Sequence, residues 1–281
     1  MQPILRRSPT APTISRSPIP RRPRSIDLGG RCLVMTSSGR GDPTVLLETG
    51  LGAESEEWSA VQRCVAAQTR VLRYDRACRG ASDPAPRPRS ANDLVDDLTL
   101  LLRRAGISPP YVLVGHSLGG LLMRLFAQRH RADVAGLVLV DSMHEDQFEI
   151  FGPMFPPPAP NEPQALTETR RFWTSGWRDP NSTTEGIDFV ASCAQGRAVT
   201  TLGDLPLHVL SAGTFLNQPL LPQAARAHLQ QRWDELQMRL LQLSSDATHS
   251  KVESSGHFVQ REAPLEIVEA IRQMLERITR R

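Results

Sequence analysis

A serine flanked by glycines lies where a strand-like run meets a helix-like run. The pentapeptide at residues 115–119, GHSLG, follows the apolar run Tyr111–Val114 and precedes a helix-like segment over 120–127. A turn this tight holds its central residue in a strained backbone conformation that costs about 1–3 kcal/mol. A Cβ at either flanking glycine would collide across the turn, so both positions require glycine. The pattern predicts a nucleophile elbow presenting the Ser117 hydroxyl; the alternative is a serine that only caps the helix beginning at about Leu118.

Strand-like and helix-like segments alternate along most of the chain. Apolar, β-rich runs occur at 43–48, 69–74, 111–114, 136–140, 207–210 and 249–252, with helical patterns at 56–68, from Ser90, from about Leu118, at 222–243 and at 264–277. Strands separated by helices must pair in parallel through crossover connections, because no hairpin could join them. The sequence therefore predicts an α/β fold with a doubly wound, mostly parallel sheet. Two short strands at 24–28 and 31–36 precede it as a hairpin turning at Gly29-Gly30.

This alternation predicts one domain over residues 24–281, preceded by a tail and interrupted once. Residues 1–23 contain many arginines and prolines and no acidic residue, so they cannot bury enough apolar surface to fold and are predicted to be disordered. Between about 143 and 202 the pattern dissolves into a stretch rich in proline and aromatic residues, too long for an ordinary loop. We interpret residues 143–202 as an inserted lid or cap.

Composition excludes several classes of function. The formal net charge of +3 comes from the arginines of the tail, so it gives no indication of a nucleic-acid partner. No apolar run reaches the roughly 18 residues that a membrane span requires. The four cysteines show neither a CxxC pair nor a histidine pair at metal spacing, which predicts no metal site. An export signal would require an apolar segment after Arg6-Arg7, and none follows. The sequence predicts a cytoplasmic protein without a cofactor.

Five short blocks occur in an order known from one superfamily. They are Leu47–Gly52, Tyr74–Ala77 with Gly80 and Ser82-Asp83, the GHSLGG segment at 115–120, Val138–Asp141 and Ser255–Phe258. On these blocks the chain resembles the α/β-hydrolase superfamily over roughly residues 24–278. The resemblance implies a hydrolase fold in which the elbow serine works with a histidine and an acid.

The candidate base and acid follow later strands. A serine hydroxyl is a weak nucleophile until a neutral imidazole takes its proton. His257 follows the last predicted strand in an S-G-H-F setting that resembles the superfamily's catalytic histidine loop, which makes it the candidate base for Ser117. The usual acid position, after the 207–210 strand, has no carboxylate. A minority arrangement, in lipases resembling the pancreatic enzyme, corresponds here to Asp141. Glu145 and Asp146 remain alternatives, and Asp141 could instead only cap its loop.

Main-chain N–H groups must stabilise the negative charge that develops on the substrate oxygen. The elbow supplies the N–H of Leu118, which lies at a helix N-terminus where the dipole favours negative charge. The second donor is expected at Leu51, in the turn after the 43–48 strand, where Thr49-Gly50 stands in place of the His-Gly pair common in the resembled family. Arg76 is expected to brace the loop behind the nucleophile.

These residues predict a serine hydrolase that cleaves a carboxylic ester of a small, partly apolar substrate through an acyl-serine intermediate. The same triad could act on a peptide bond at proline, a thioester, a lactone or a carbon–carbon bond, because the lid and pocket choose the substrate. Epoxide and haloalkane hydrolysis are disfavoured, since those relatives place aspartate where Ser117 stands. A different class of function is a hydrolase-fold ligand binder with negligible turnover. No nucleic-acid partner is expected.

Overall fold

The structure is a computed structural model that describes residues 22–214 and 221–281. All but the last two residues of the predicted tail, 1–23, lie outside the described residues. Within them, eight strands form one sheet: β1 (Arg24–Asp27), β2 (Cys32–Ser38), β3 (Thr44–Glu48), β4 (Val71–Tyr74), β5 (Tyr111–His116), β6 (Val134–Val140), β7 (Leu207–Thr214) and β8 (Ala247–Gly256).

The strand order is β1-β2-β4-β3-β5-β6-β7-β8. In this spatial order, every neighbouring pair in the run β4-β3-β5-β6-β7-β8 is parallel. Strand β2 pairs antiparallel with both β1 and β4. The predicted hairpin and the mostly parallel, doubly wound sheet are confirmed. Because parallel strands share a direction, the carboxyl ends of β3 to β8 meet at one edge, where ligands bind in folds of this kind.

The described residues also contain nine α-helices. They are α1 (Ser59–Val65), α2 (Ala91–Ala105), α3 (Leu118–Arg129), α4 (Gln147–Phe151), α5 (Gln164–Thr174), α6 (Phe189–Arg197), α7 (Gln223–Leu240), α8 (Val259–Glu262) and α9 (Pro264–Thr279). Local signals explain their ends: Ser90 and Asp93 form a capping box ahead of α2, and Gly106 ends that helix in the left-handed conformation. The helix predicted at 56–68 is shorter, because a 3₁₀ turn over Ser55–Trp58 precedes α1.

Side chains of β3 show how the sheet separates two apolar layers. Val45 and Leu47 pack into the layer that includes α1 and α9, whereas Leu46 packs into the layer that includes α2 and α3. Successive strand residues point to opposite faces, so a strand covered on both faces is apolar throughout. All five residues of β3 are buried, as the continuous apolar run at 43–48 predicts.

The stretch between β6 and β7 contains helices that the sequence pattern did not reveal. Here α4, α5 and α6 have 5, 11 and 9 residues, too few turns for a helical period to be recognised. Aromatic side chains hold these short helices together: Phe148 stacks on Trp177 with ring centroids 4.8 Å apart and contacts Phe189 edge to face at 5.0 Å. We call residues 143–202 the insertion.

Candidate functional site

Ser117 lies in a strained turn between β5 and α3. Its φ angle is +52°, in the left-handed region that non-glycine residues rarely adopt. A Cβ added to Gly115 would lie 2.4 Å from the carbonyl oxygen of Gly119, and one added to Gly119 would lie 2.6 Å from that of Glu48. Both flanking positions are therefore closed to a side chain. The main chain of Ser117 is fixed by its N–H, which donates to the Val140 carbonyl at 3.2 Å.

The structure brings His257 against Asp141, which follows β6. Nδ1 of His257 lies 2.6 Å from Oδ2 of Asp141, a carboxylate that is fully buried. The other oxygen, Oδ1, accepts from the main-chain N–H of Ala212 at 2.9 Å and from the indole N–H of Trp233 at 2.7 Å. Since Nδ1 faces the carboxylate, the neutral imidazole carries its proton on Nδ1 and its lone pair on Nε2.

The two alternative acids have other partners. Oε2 of Glu145 accepts from the buried Arg124 guanidinium at 2.8 Å, and Oδ1 of Asp146 accepts from Arg197 at 3.0 Å. Burial alone would raise the pKa of Glu145, but the nearby Arg124 outweighs it and holds that pKa below its ordinary value. Of the three candidates, only Asp141 is hydrogen bonded to His257 among the described residues.

His116 is a contact of His257 that sequence reasoning missed. Its Nε2 lies 2.8 Å from the carbonyl oxygen of His257, and its ring packs at 4.6 Å between centroids against the His257 ring. A carbonyl only accepts, so Nε2 holds the proton, and Nδ1 accepts from the Gln260 amide at 3.2 Å. Burial, and then the neighbouring His257, lower the pKa of His116 well below its ordinary value. A neutral His116 therefore supports the His257 loop.

The two predicted main-chain donors are both available. Leu51 and Leu118 line the same cavity as Ser117, and within 22–214 and 221–281 neither N–H has a hydrogen-bond partner. Gly50 explains how the turn approaches the nucleophile so closely: a Cβ there would lie 3.2 Å from the Ser117 Cβ and 2.9 Å from Nδ1 of His116. Only glycine fits without displacing these groups.

Ser117 and His257 open onto one cavity of about 470 Å³, within the usual size range of small-molecule sites. Its walls are mostly apolar side chains, from the insertion and beyond it: Met143, Phe148, Phe172, Trp173, Phe189, Trp233 and Phe258. Besides His257, the one ionisable side chain among its described lining residues is Glu262, whose carboxylate accepts from the Gly256 N–H at 2.6 Å. No arginine or lysine lines the described part of this cavity.

Two features are absent from the described residues. No group of three or more His, Cys, Asp or Glu side chains there is arranged to hold a metal ion. No helix in this part of the chain is both long and apolar enough to cross a membrane.

Comparison with known proteins agrees with this fold. The chain is 27% identical over 227 residues to the uncharacterized protein YqjL of Bacillus subtilis, covering 80% of this chain and 81% of that protein. A thermophilic esterase from Thermogutta terrifontis has the same fold (TM-score 0.63, 20% identity, 92% and 99% of the two chains). So does the epoxide hydrolase CorEH (TM-score 0.62, 18% identity, 91% and 99%). Residues 45–270 match the alpha/beta hydrolase family, and the chain therefore belongs to that family of hydrolytic enzymes.

Proposed function

We propose that this protein is a serine hydrolase that cleaves a neutral carboxylic ester through an acyl-serine intermediate. The observation that supports this most is the hydrogen bond between His257 Nδ1 and Asp141 Oδ2, made where His257 and Ser117 line one cavity. A buried carboxylate on Nδ1 fixes the imidazole tautomer in which Nε2 is a base. The insertion serves as the lid of this site.

The reaction follows from these positions. Nε2 of His257 takes the proton of the Ser117 hydroxyl as Oγ attacks the ester carbonyl carbon, and the N–H groups of Leu51 and Leu118 stabilise the resulting oxyanion. Collapse of the tetrahedral species breaks the bond to the alcohol oxygen, which leaves with the proton from His257. Water then attacks the acyl-serine in the same way, and the carboxylic acid is released with Ser117 restored.

The charges of the cavity favour a neutral ester over the anionic substrate of a carbon–carbon hydrolase. A carbon–carbon hydrolase acting on a diketone-like acid must neutralise a substrate carboxylate, and no cation lines the described walls. Epoxide hydrolysis in the resembled relatives starts from aspartate, whereas this elbow holds serine.

Labelling with a fluorophosphonate tests the nucleophile. Ser117 should react stoichiometrically, and Ser117→Ala should abolish labelling and reduce ester turnover by about 10⁴- to 10⁶-fold with the fold intact. Ser142→Ala is the matched control: Ser142 is buried next to the elbow helix and should not affect labelling. A wild-type protein that stays unlabelled yet binds a small molecule tightly would instead be a non-catalytic binder.

A substrate panel tests the bond and the acyl group. We expect turnover of p-nitrophenyl esters, with a chain-length optimum set by the aromatic walls, and no turnover of a proline p-nitroanilide. Preference for the anilide would identify a peptidase with the same triad.

A further inference from the structure

The turn that follows β3 is held from behind by a buried arginine. Arg76 is 2% exposed. Its Nη2 donates to the carbonyl oxygen of Gly50 at 2.7 Å, and its Nη1 donates to that of Thr49 at 2.8 Å. The turn's own Ala53 N–H reaches the Gly50 oxygen only at 3.4 Å. The hydrogen bond from Arg76 to the Gly50 carbonyl is therefore the shorter of these two.

Fixing the Gly50 carbonyl also fixes the direction of the next N–H group. The carbonyl of Gly50 and the N–H of Leu51 belong to one planar peptide unit, which is trans, so the two groups point in opposite directions. When the carbonyl points at Arg76, the Leu51 N–H points away from it. Leu51 lines the cavity that holds Ser117, and an oxyanion donor at this residue must direct its N–H into that cavity.

The guanidinium is in turn held by two buried carboxylates from different parts of the chain. Glu48, the last residue of β3, accepts from Nη1 at 2.6 Å, and Glu185, from the insertion, accepts from Nε at 2.7 Å and from Nη2 at 2.9 Å. Oε1 of Glu185 also accepts from the Gly52 N–H at 2.7 Å. The insertion thus contacts the turn twice, through Arg76 and through Gly52.

The main chain around Glu185 is anchored to the core of the domain. The N–H of Arg89 donates to the Gly186 carbonyl at 2.9 Å, and the N–H of Asp188 donates to the Arg89 carbonyl at 2.8 Å. A Cβ at Gly186 would lie 2.5 Å from the Arg87 side chain, so this contact is close. Glu185 is consequently an acceptor at a fixed position.

Both carboxylates depend on Arg76 for their charge. Burial raises the pKa of Glu48 despite the guanidinium, whereas the pKa of Glu185 lies below its ordinary value because Arg76, the Gly52 N–H and Arg79 together outweigh burial. Removing the positive charge would leave two buried carboxylates facing each other, which is strongly destabilising. A variant that tests how Arg76 positions the turn must therefore keep the positive charge of residue 76 and change only the geometry of its hydrogen-bond donors.

We propose that Arg76 and Glu185 are positioning residues of the oxyanion hole, through which the insertion sets the direction of the Leu51 N–H. This inference rests on the proposed acyl-serine function. Neither side chain lines the cavity, so both act through the main chain of the turn. The turn, the buried arginine and the insertion form one unit, and the oxyanion hole is complete only when the insertion is in place.

Arg76→Lys tests this inference because lysine keeps the charge but cannot donate to both carbonyls and both carboxylates. We expect kcat on a p-nitrophenyl ester to fall about 10- to 100-fold with KM changed less than threefold, since losing one oxyanion donor costs about 10²- to 10³-fold. The affinity for an alkyl trifluoromethyl ketone, which forms an oxyanion on Ser117, should fall in parallel with kcat/KM.

Arg89→Lys is the matched control. Arg89 is also a buried arginine paired with a carboxylate, Asp97 at 2.6 Å. Its side chain does not contact the turn, and lysine keeps the main-chain bonds of residue 89 to Gly186 and Asp188. This variant should lower stability comparably and leave kcat and ketone affinity within about twofold. Equal kinetic losses in the two variants would mean that Arg76 is only structural.

A pair of Glu185 variants decides the matter even if Arg76→Lys folds poorly. Glu185→Gln keeps an oxygen that accepts the Gly52 N–H, whereas Glu185→Ala removes it, so kcat should fall about tenfold more in the alanine variant. Equal kcat values for the two would overturn the inference. If Ser117→Ala abolishes turnover while all Arg76 and Glu185 variants keep wild-type kcat, the proposed function stands and the positioning role is wrong; residual turnover in Ser117→Ala removes both.

Discussion

Three buried carboxylates near the candidate site fall into two classes that differ in their partners. Asp141 accepts from two neutral donors, the Ala212 N–H and the Trp233 indole, and faces His257. Glu48 and Glu185 instead share the guanidinium of Arg76. Asp141 is held without a permanent counter-ion, whereas Glu48 and Glu185 share a single positive counter-charge.

This difference explains which carboxylate is free to serve the base. In the proposed mechanism His257 becomes an imidazolium, and a carboxylate stabilises it best when no guanidinium already occupies that carboxylate. Glu145 belongs to the second class because Arg124 holds it. On the proposed function, the carboxylates paired with Arg76 help to fix the main chain, and Asp141, which is held by neutral donors, orients His257.

The largest expected effect on kcat comes from removing the charge of one carboxylate in each class. Asp141→Asn should lower kcat about 10⁴-fold, because the amide favours the wrong tautomer of His257. Glu145→Gln should lower stability, since it leaves Arg124 buried without its partner, but should change kcat less than threefold in the folded protein. Steady-state kinetics with thermal unfolding of both variants measures this. If Glu145→Gln is the more damaging to kcat, Glu145 rather than Asp141 is the acid.

His208 is a buried imidazole that is held by hydroxyl groups, whereas His257 faces a carboxylate. Its ring nitrogens lie 2.9 Å from Thr248 Oγ1 and 2.9 Å from Ser250 Oγ, and burial lowers its pKa to about 4. The unfolded chain binds a proton below about pH 6.5 and the folded one does not until about pH 4. Stability is therefore lost as pH falls through this window, by up to about 3 kcal/mol.

Urea unfolding at pH 7, 5.5 and 4.5 measures that loss. His208→Gln should reduce the decrease in the free energy of unfolding between pH 7 and 4.5, though not abolish it, because His116 and His144 also have lowered pKa values. A variant with the same pH dependence as the wild type would show that His208 does not contribute.

The smallest expected effect comes from one neutral donor to Asp141. Trp233→Phe removes the indole N–H and should lower kcat about tenfold, since a hydrogen bond to a charged group contributes about 1.5–3 kcal/mol. Trp58→Phe is the control, because the Trp58 indole N–H is buried without a hydrogen-bond partner among the described residues. Equal kcat values in the two variants would assign Trp233 a packing role alone.

Much of the site was predictable from local sequence patterns. The elbow follows from GHSLG between a strand and a helix, and the β3 and β5 strands follow from continuous apolar runs, since steric clash and side-chain period act between neighbours in sequence.

Sequence alone determined the fold, the candidate nucleophile and the candidate base, because local patterns and short motifs specify them. Only the tertiary structure separated Asp141 from Glu145 and Asp146, which lie within five residues of one another in sequence. Asp141 meets Trp233 and His257 across separations of 92 and 116 residues, and Arg76 meets Glu185 across 109. Contacts of that range depend on how strands, helices and the insertion pack, and no local pattern specifies them.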